Sequence, residues 1–210
     1  MRPLSKKPNL RLETTATKPS QTEIRLAGSG GQGLITAGII LAEAAILDGK
    51  NVIQSQSYGP EARGGASRAE IIIADGPIFF PKATWLDIML AMSQKASDEY
   101  VFDLKNGGTL IVDSTYVSQI PTSNALVIPI SARTRQHFGR EIFSNIVALG
   151  VLCEATGIVS PKALLAAIGR RVPRETEKIN IEAFNFGRKL AEKFHQKQGE
   201  SKHDTVAADS

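Results

Sequence analysis

EIRLAGSGGQGLITAGIILAEAAILDGKNVIQSQS, residues 23–57, sets the fold class. Residues 23–28 read as a short strand ending in glycine. Gly28-Ser29-Gly30-Gly31-Gln32-Gly33 follows with the spacing G-x-G-x-x-G. A helix opens at Gly33 or Leu34 and runs to about Asp48, where Asp48-Gly49-Lys50 stops it. Residues 51–57 begin with alternating apolar and polar side chains and read as a second strand. Strand, glycine turn, helix and strand in that order open an α/β fold of the Rossmann-like kind.

Two readings of the turn stay open. Glycines let backbone N–H groups approach a pyrophosphate at the positive end of a helix, so Gly28, Gly30, Gly31, Gln32 and Gly33 are candidate contacts for a phosphate-bearing cofactor. The same glycines also permit tight strand–helix packing, and that reading is slightly favoured. A dinucleotide site wants an acid at the end of the second strand, but Gln54-Ser55-Gln56-Ser57 stands there, and the next acid is Glu61. NAD is disfavoured. NADP remains as the alternative, with Ser57 and Arg63 on the 2′-phosphate of an autonomous reductase. The helix behind the turn carries one charge, Glu43, between Leu34 and Leu47. It needs cover on both faces, from the sheet and from either the C-terminal helices or another subunit.

Downstream, residues 66–80 read as a hairpin turning at Asp75-Gly76, and residues 87–93 as a buried strand. Residues 94–104 read as a helix, and strands follow at 109–114 and 125–130. Helices are expected at 141–155, 161–168 and 179–194. The fold class is therefore α/β, a mostly parallel sheet with an added antiparallel hairpin and C-terminal helices. One domain over residues 23–194 is flanked by a disordered basic tail, 1–22, and a polar tail, 195–210.

The chain has 210 residues, 42% of them apolar, and a net charge of +4. That charge belongs to residues 1–22, which hold Arg2, Lys6, Lys7, Arg11 and Lys18 against Glu13. The remainder is balanced, so no nucleic-acid partner is expected. The absence of a signal-like or membrane-spanning run points to a cytoplasmic protein. The single cysteine, Cys153, excludes an internal disulfide and a cysteine-ligated cluster held by this chain alone. His137 stands among Arg133, Arg135 and Arg140 and reads as a solvated or interface histidine. No metal or nucleophile constellation appears, so no catalytic residue is assigned and the chain reads as a binding module or a subunit.

Residues 55–73, SQSYGPEARGGASRAEIII, hold a stiff loop in which Gly59-Pro60 and Gly64-Gly65 bracket recognition-type side chains. Together with GSGGQGLITAGIILAEA, GGTLIVDS and NIVALGVLCEATGIVS, this loop resembles the gamma subunit of the 2-oxoacid:ferredoxin oxidoreductases, over about residues 24–187 and with wording most like the 2-oxoglutarate branch. The resemblance implies a Rossmann-like subunit without NAD, in an enzyme that uses thiamine diphosphate, magnesium, iron–sulfur clusters and coenzyme A. It implies alpha and beta subunits, a ferredoxin-like delta subunit or a cluster-bearing beta, and ferredoxin as electron partner. On that basis Tyr58, Gly59, Pro60, Glu61, Arg63, Gly64, Gly65 and Ser67 are candidate interface residues, and Gly28, Gly30, Gly31, Gln32 and Gly33 are candidate contacts for a coenzyme A phosphate.

Overall fold

The computed structural model describes residues 21–58, 66–122 and 124–207. Strand β1 (Gln21–Ser29) leads through the glycine turn into helix α1 (Leu34–Leu47) and then β2 (Asn51–Tyr58). Next come β3 (Ala66–Ala74), β4 (Leu86–Ala91), α2 (Gln94–Tyr100) and, after a single 3-10 turn, β5 (Leu104–Asp113). The chain closes with β6 (Leu126–Ile128), α3 (Ile130–Phe138), α4 (Ser144–Thr156), α5 (Pro161–Arg171) and the long α6 (Glu177–Ala207). The class read from the sequence holds, an α/β sheet with flanking helices.

The six strands lie in the order β2-β3-β1-β4-β5-β6, with β1, β4, β5 and β6 parallel and β3 antiparallel to both neighbours. This corrects the hairpin. Its two arms are β2 and β3, joined through residues 59–65, and not two strands around Asp75-Gly76. Residues 77–85 form no strand, and Phe79 and Phe80 within them are exposed. An apolar run without a neighbouring ladder has nothing to satisfy its backbone as a strand. Three boundaries also move. Gln21 and Thr22 belong to β1 rather than to a tail, β5 begins at Leu104, and α6 continues past Phe194 to Ala207. Helix α3 has no counterpart in the sequence reading.

One face of the sheet carries α1, α4, α5 and α6. Helix α4 is buried from Ile146 to Cys153, which explains an apolar composition with no solvent stripe. Helix α1 finds its second cover in α4 and α5 of the same chain, so another subunit is not needed for that face. Two polar ties fix it there. Asp48 accepts hydrogen bonds from the Ser160 backbone N–H (2.6 Å) and hydroxyl (2.7 Å), and Glu43 accepts from the Arg171 Nε (2.7 Å). The opposite face is thinly covered by α2, the 3-10 turn and the connections at 75–85 and 114–125, around Leu86, Met89, Leu110 and Val112.

Helices α4 and α6 approach until their backbones touch. A Cβ on Gly187 would lie 2.0 Å from the Val147 carbonyl oxygen, and one on Gly150 would lie 2.1 Å from that of Phe184. Backbone cannot yield as a side chain can, so Gly187→Ala should lower stability by about 3 kcal/mol, the upper part of the usual overpacking range. Chemical denaturation checks this. A midpoint equal to wild type would mean that the helices separate without cost.

Candidate functional site

The connection leaving β1 crosses the helical face toward β2, whereas the one leaving β4 crosses the opposite face toward β5. Adjacent parallel strands whose connections diverge open a crevice at their carboxyl ends, the usual ligand position in such sheets. Here the crevice has a volume of about 480 Å³ and is lined by Ser29, Gln32, Ser93, Gln94, Lys95, Tyr116 and Glu141. The sequence reading named only Gln32 of these.

The glycine turn forms one wall, and its residues divide into two kinds. Gly28 and Gly33 are consumed by packing. A Cβ on Gly28 would sit 2.3 Å from Gln32 Oε1 and 2.7 Å from Leu34 Cδ1. Gly33 has φ +73°, and a Cβ there would lie 2.6 Å from Asn145 Nδ2, which donates to the Gly33 carbonyl at 3.2 Å. Gly30 and Gly31 are exposed at the tip, and a Cβ on Gly31 (φ +92°) would meet nothing within 4 Å. The Gln32 side chain staples the turn. Its Oε1 accepts from Ser29 N–H at 2.7 Å and its Nε2 donates to the Met92 carbonyl at 2.9 Å, joining the ends of β1 and β4.

The other wall is equally committed. Ser93 Oγ accepts from Ala96 N–H at 3.3 Å and caps α2. Gln94 accepts from the backbone N–H groups of Ser118 and Gln119 and donates to the Gln119 carbonyl and to Asp98. The Tyr116 hydroxyl donates to Glu141 at 2.6 Å, and that bond, with some burial and the charge of Glu141, pushes its pKa up. Arg135 pairs with the same Glu141. The buried carboxylate of Asp113 accepts from Thr115 and Ser131 N–H groups and seats the start of α3.

Of the candidate loop residues, Ser67 is buried beside the glycine turn, paired in register with Gly28, and its hydroxyl donates to the Ser29 carbonyl at 3.5 Å. The backbone of Tyr58 pairs with Ser67. Gly59, Pro60, Glu61, Arg63, Gly64 and Gly65 lie outside the described residues. Both roots of their segment therefore stand at the same sheet end as Gly28–Gly33. Below them Arg25, 3% exposed, donates to Glu70 (2.8 Å) and pairs with Asp103, and its guanidinium and that of Arg68 both lie over the Tyr100 ring. His137 is remote, stacked on Phe186 with Nε2 3.2 Å from Glu182.

The nicotinamide alternative is not favoured by this geometry. A dinucleotide fold sets the second strand beside the first, but here β3 occupies that place and β2 lies one strand further out. Among the described residues no group of three or more His, Cys, Asp or Glu is placed to hold a metal ion. Cys153 is buried in the core, and burial pushes its thiol up to about 11. No described helix is long and apolar enough to cross a membrane.

The profile of the pyruvate ferredoxin/flavodoxin oxidoreductase family matches residues 23–190. The 2-oxoglutarate synthase subunit KorC of Methanothermobacter marburgensis is 48% identical over 177 residues, 80% of this chain and 95% of that one. The gamma subunit of a keto/oxoacid ferredoxin oxidoreductase from Geobacter sulfurreducens is similar in structure, with a TM-score of 0.72 and 48% identity over 81% of this chain and 98% of that one. A 2-oxoglutarate:ferredoxin oxidoreductase from Magnetococcus marinus, solved with 2-oxoglutarate, coenzyme A and succinyl-CoA bound, shares the fold. Its TM-score is 0.73 at 24% identity, and the match covers 82% of this chain but only 31% of that one.

Gln32 is used both as donor and as acceptor, so neither Ala nor Glu can replace it. Gln32→Ala and Gln32→Glu should each cost about 1–3 kcal/mol, the range for leaving a buried backbone group unpaired. Hydrogen exchange at the Ser29 amide should accelerate in Gln32→Ala, which lacks an acceptor for it, and wild-type protection there in that variant would remove the staple from the site.

Proposed function

The chain belongs to the pyruvate ferredoxin/flavodoxin oxidoreductase family, and we propose that it is the gamma subunit of a 2-oxoacid:ferredoxin oxidoreductase of the 2-oxoglutarate branch. Such an assembly decarboxylates 2-oxoglutarate oxidatively, transfers the acyl group to coenzyme A to give succinyl-CoA, and passes two electrons to ferredoxin. Thiamine diphosphate with magnesium supplies the carbon chemistry and iron–sulfur clusters carry the electrons. The described residues do not fit either group, since the one cysteine is buried and no metal-binding cluster is formed. These cofactors are assigned to alpha and beta subunits and to a ferredoxin-like delta subunit. This chain's own role is to brace the assembly and to border the coenzyme A path.

The observation that carries this reading is the shared sheet end. The glycine turn and both roots of residues 59–65 stand side by side, although 25 or more residues separate them in sequence. Gly28 and Gly33 shape the turn, and Gly30 and Gly31 leave its tip open toward a coenzyme A phosphate. Tyr58, Glu61 and Arg63 are assigned to the contact with the alpha subunit. The side chains of the crevice are largely engaged in holding backbone or one another, which suits a fixed wall better than a proton-transfer centre.

Two tests follow. Purified complex containing this chain should reduce ferredoxin with 2-oxoglutarate and coenzyme A, whereas the chain alone should neither turn over nor bind NADP by calorimetry. Tight NADP binding with turnover by the isolated chain overturns the proposal. Within the complex, Gly30→Asp sets a carboxylate at the open tip and should raise the KM for coenzyme A about tenfold, equivalent to about 1.4 kcal/mol, with the KM for 2-oxoglutarate unchanged. An unchanged coenzyme A KM would leave the turn with packing alone.

A further inference from the structure

The sheet has two lateral edges, and they are built differently. On one side β6 is three residues long, and a ladder that short offers little for another chain to pair with. On the other side β2 runs for eight residues, NVIQSQSY, and pairs with β3 in unbroken register from Asn51 opposite Ala74 to Tyr58 opposite Ser67. Its outer side carries a row of backbone N–H and C=O groups with no strand beside it among the described residues. Proteins usually blunt such an edge with lysine, proline, an inward-pointing charge, a bulge or a covering element. Here Asn51–Tyr58 holds no charged residue and no proline, and its ladder has no bulge. Among the described residues β2 packs chiefly against β3 and against α1, which lies over the face that Val52 turns to the core. Asn51, Ser55, Gln56 and Ser57 are exposed. Ile46 and Leu47, in the last turn of α1 that leads into the foot of β2, are 60% and 40% exposed.

We propose that β2 pairs antiparallel with β2 of a second copy of this chain, which joins the two sheets into one. The occupant of the edge must be an extended strand, because only backbone satisfies a ladder along its whole length. A foreign strand would have to be selected by complementary charge, and β2 presents no charge for that purpose. A second copy needs no such selection, because two-fold symmetry matches ladder length and side-chain pattern by construction. An axis normal to the sheet sets like faces together. With the axis at Ser55, Gln54 faces Gln56 and Ile53 faces Ser57. With the axis at Gln54, Val52 faces Gln56 and Ile53 faces Ser55. Neither register opposes like charges, which would weaken a strand paired with itself. Residues 52–58 or 51–57 of each strand then overlap. An antiparallel ladder of that length exchanges about seven hydrogen bonds, against roughly ten in a standard interface. Symmetry places Ile46 and Leu47 at both ends of the joint, where they add apolar surface. The crevice between β1 and β4 lies two strands in from this edge and stays open in the dimer. The pairing therefore goes beyond the gamma-subunit reading without competing with it.

Sedimentation velocity of the purified full-length chain, with hydrogen exchange of β2 followed by mass spectrometry, tests this. The chain should sediment as a dimer, and the outward amides of β2 should gain protection as concentration rises through the dimerisation range. Ser55→Lys should raise the dimer dissociation constant several-fold, because it sets two ammonium groups opposite one another or one diagonal apart. Ser55 is exposed and its hydroxyl neighbour is the Glu70 carboxylate, so this variant should keep the wild-type far-UV circular dichroism. Ser55→Thr, uncharged and well suited to a strand, should leave the dimer intact. A chain that stays monomeric at every attainable concentration overturns the proposal. So does a dimer that Ser55→Lys leaves at full strength, which would place the contact on another surface. Protection of the outward β2 amides that is independent of concentration overturns it too, because the chain's own residues would then cover the edge.

Discussion

The antiparallel ladder between β1 and β3 is the constraint on which the rest depends. Nine rungs, from Gln21 opposite Ala74 to Ser29 opposite Ala66, insert β3 between β1 and β2. Arg25 sits opposite Glu70 on the thin face, while Ile24 and Ile71 of the next rung point into the helical core. A slip of one residue would turn the charged pair into that core and the isoleucines out of it. A buried ion pair adds little net stability, but breaking one is costly, so Arg25 and Glu70 act chiefly on register. Tyr100 beneath both guanidinium groups and Asp103 beside Arg25 couple α2 and the start of β5 to the same rung.

This single insertion has functional consequences at both sheet ends. At the carboxyl end of β1 it takes the place where a dinucleotide fold would present its ribose-binding acid. It also brings Ser67 against Gly28, so the glycine turn stands beside the strand ends at Tyr58 and Ala66. At the other end β3 delivers the chain at Ala74, next to Gln21, and the following connection must cross to β4 over the rim of the sheet. Glu23 and Arg25 catch it there, through the Thr84 and Trp85 N–H groups and the Ala83 carbonyl.

The elements legible in the sequence are those whose signals are local. The turn, α1, β2 and β4 follow from glycine spacing, apolar period and flanking breakers within a dozen residues. The hairpin was misread because Asp75-Gly76 is a strong turn signal, whereas pairing of β2 with β3 is decided across a longer connection. Helix α3 was missed because its sequence, ISARTRQHF, lacks an apolar stripe and its first N–H groups are satisfied by Asp113 and Thr115, 18 and 17 residues upstream. Only Gly139, left-handed at φ +71°, marked its end locally. In the site, the glycine spacing was visible but the division of labour within it was not. That division depends on Asn145, 112 residues away in sequence, and on a glutamine whose partners are two backbone groups.

The commitment of polar groups around the crevice argues about mechanism in its own right. A general acid or base must exchange a proton during turnover, and a nucleophile needs a neighbour to take its proton. Gln94 and Gln32 cannot titrate, and they hold five backbone groups between them. Ser93 is spent as a cap. Tyr116 is held in its neutral form by the same Glu141 that Arg135 engages. These side chains fix the ends of β1, β4 and β5 relative to one another, so the crevice floor cannot reorganise without breaking several hydrogen bonds together. A fixed floor is of use to a reaction whose reactive groups come from elsewhere, because it positions a bulky co-substrate without competing for its protons.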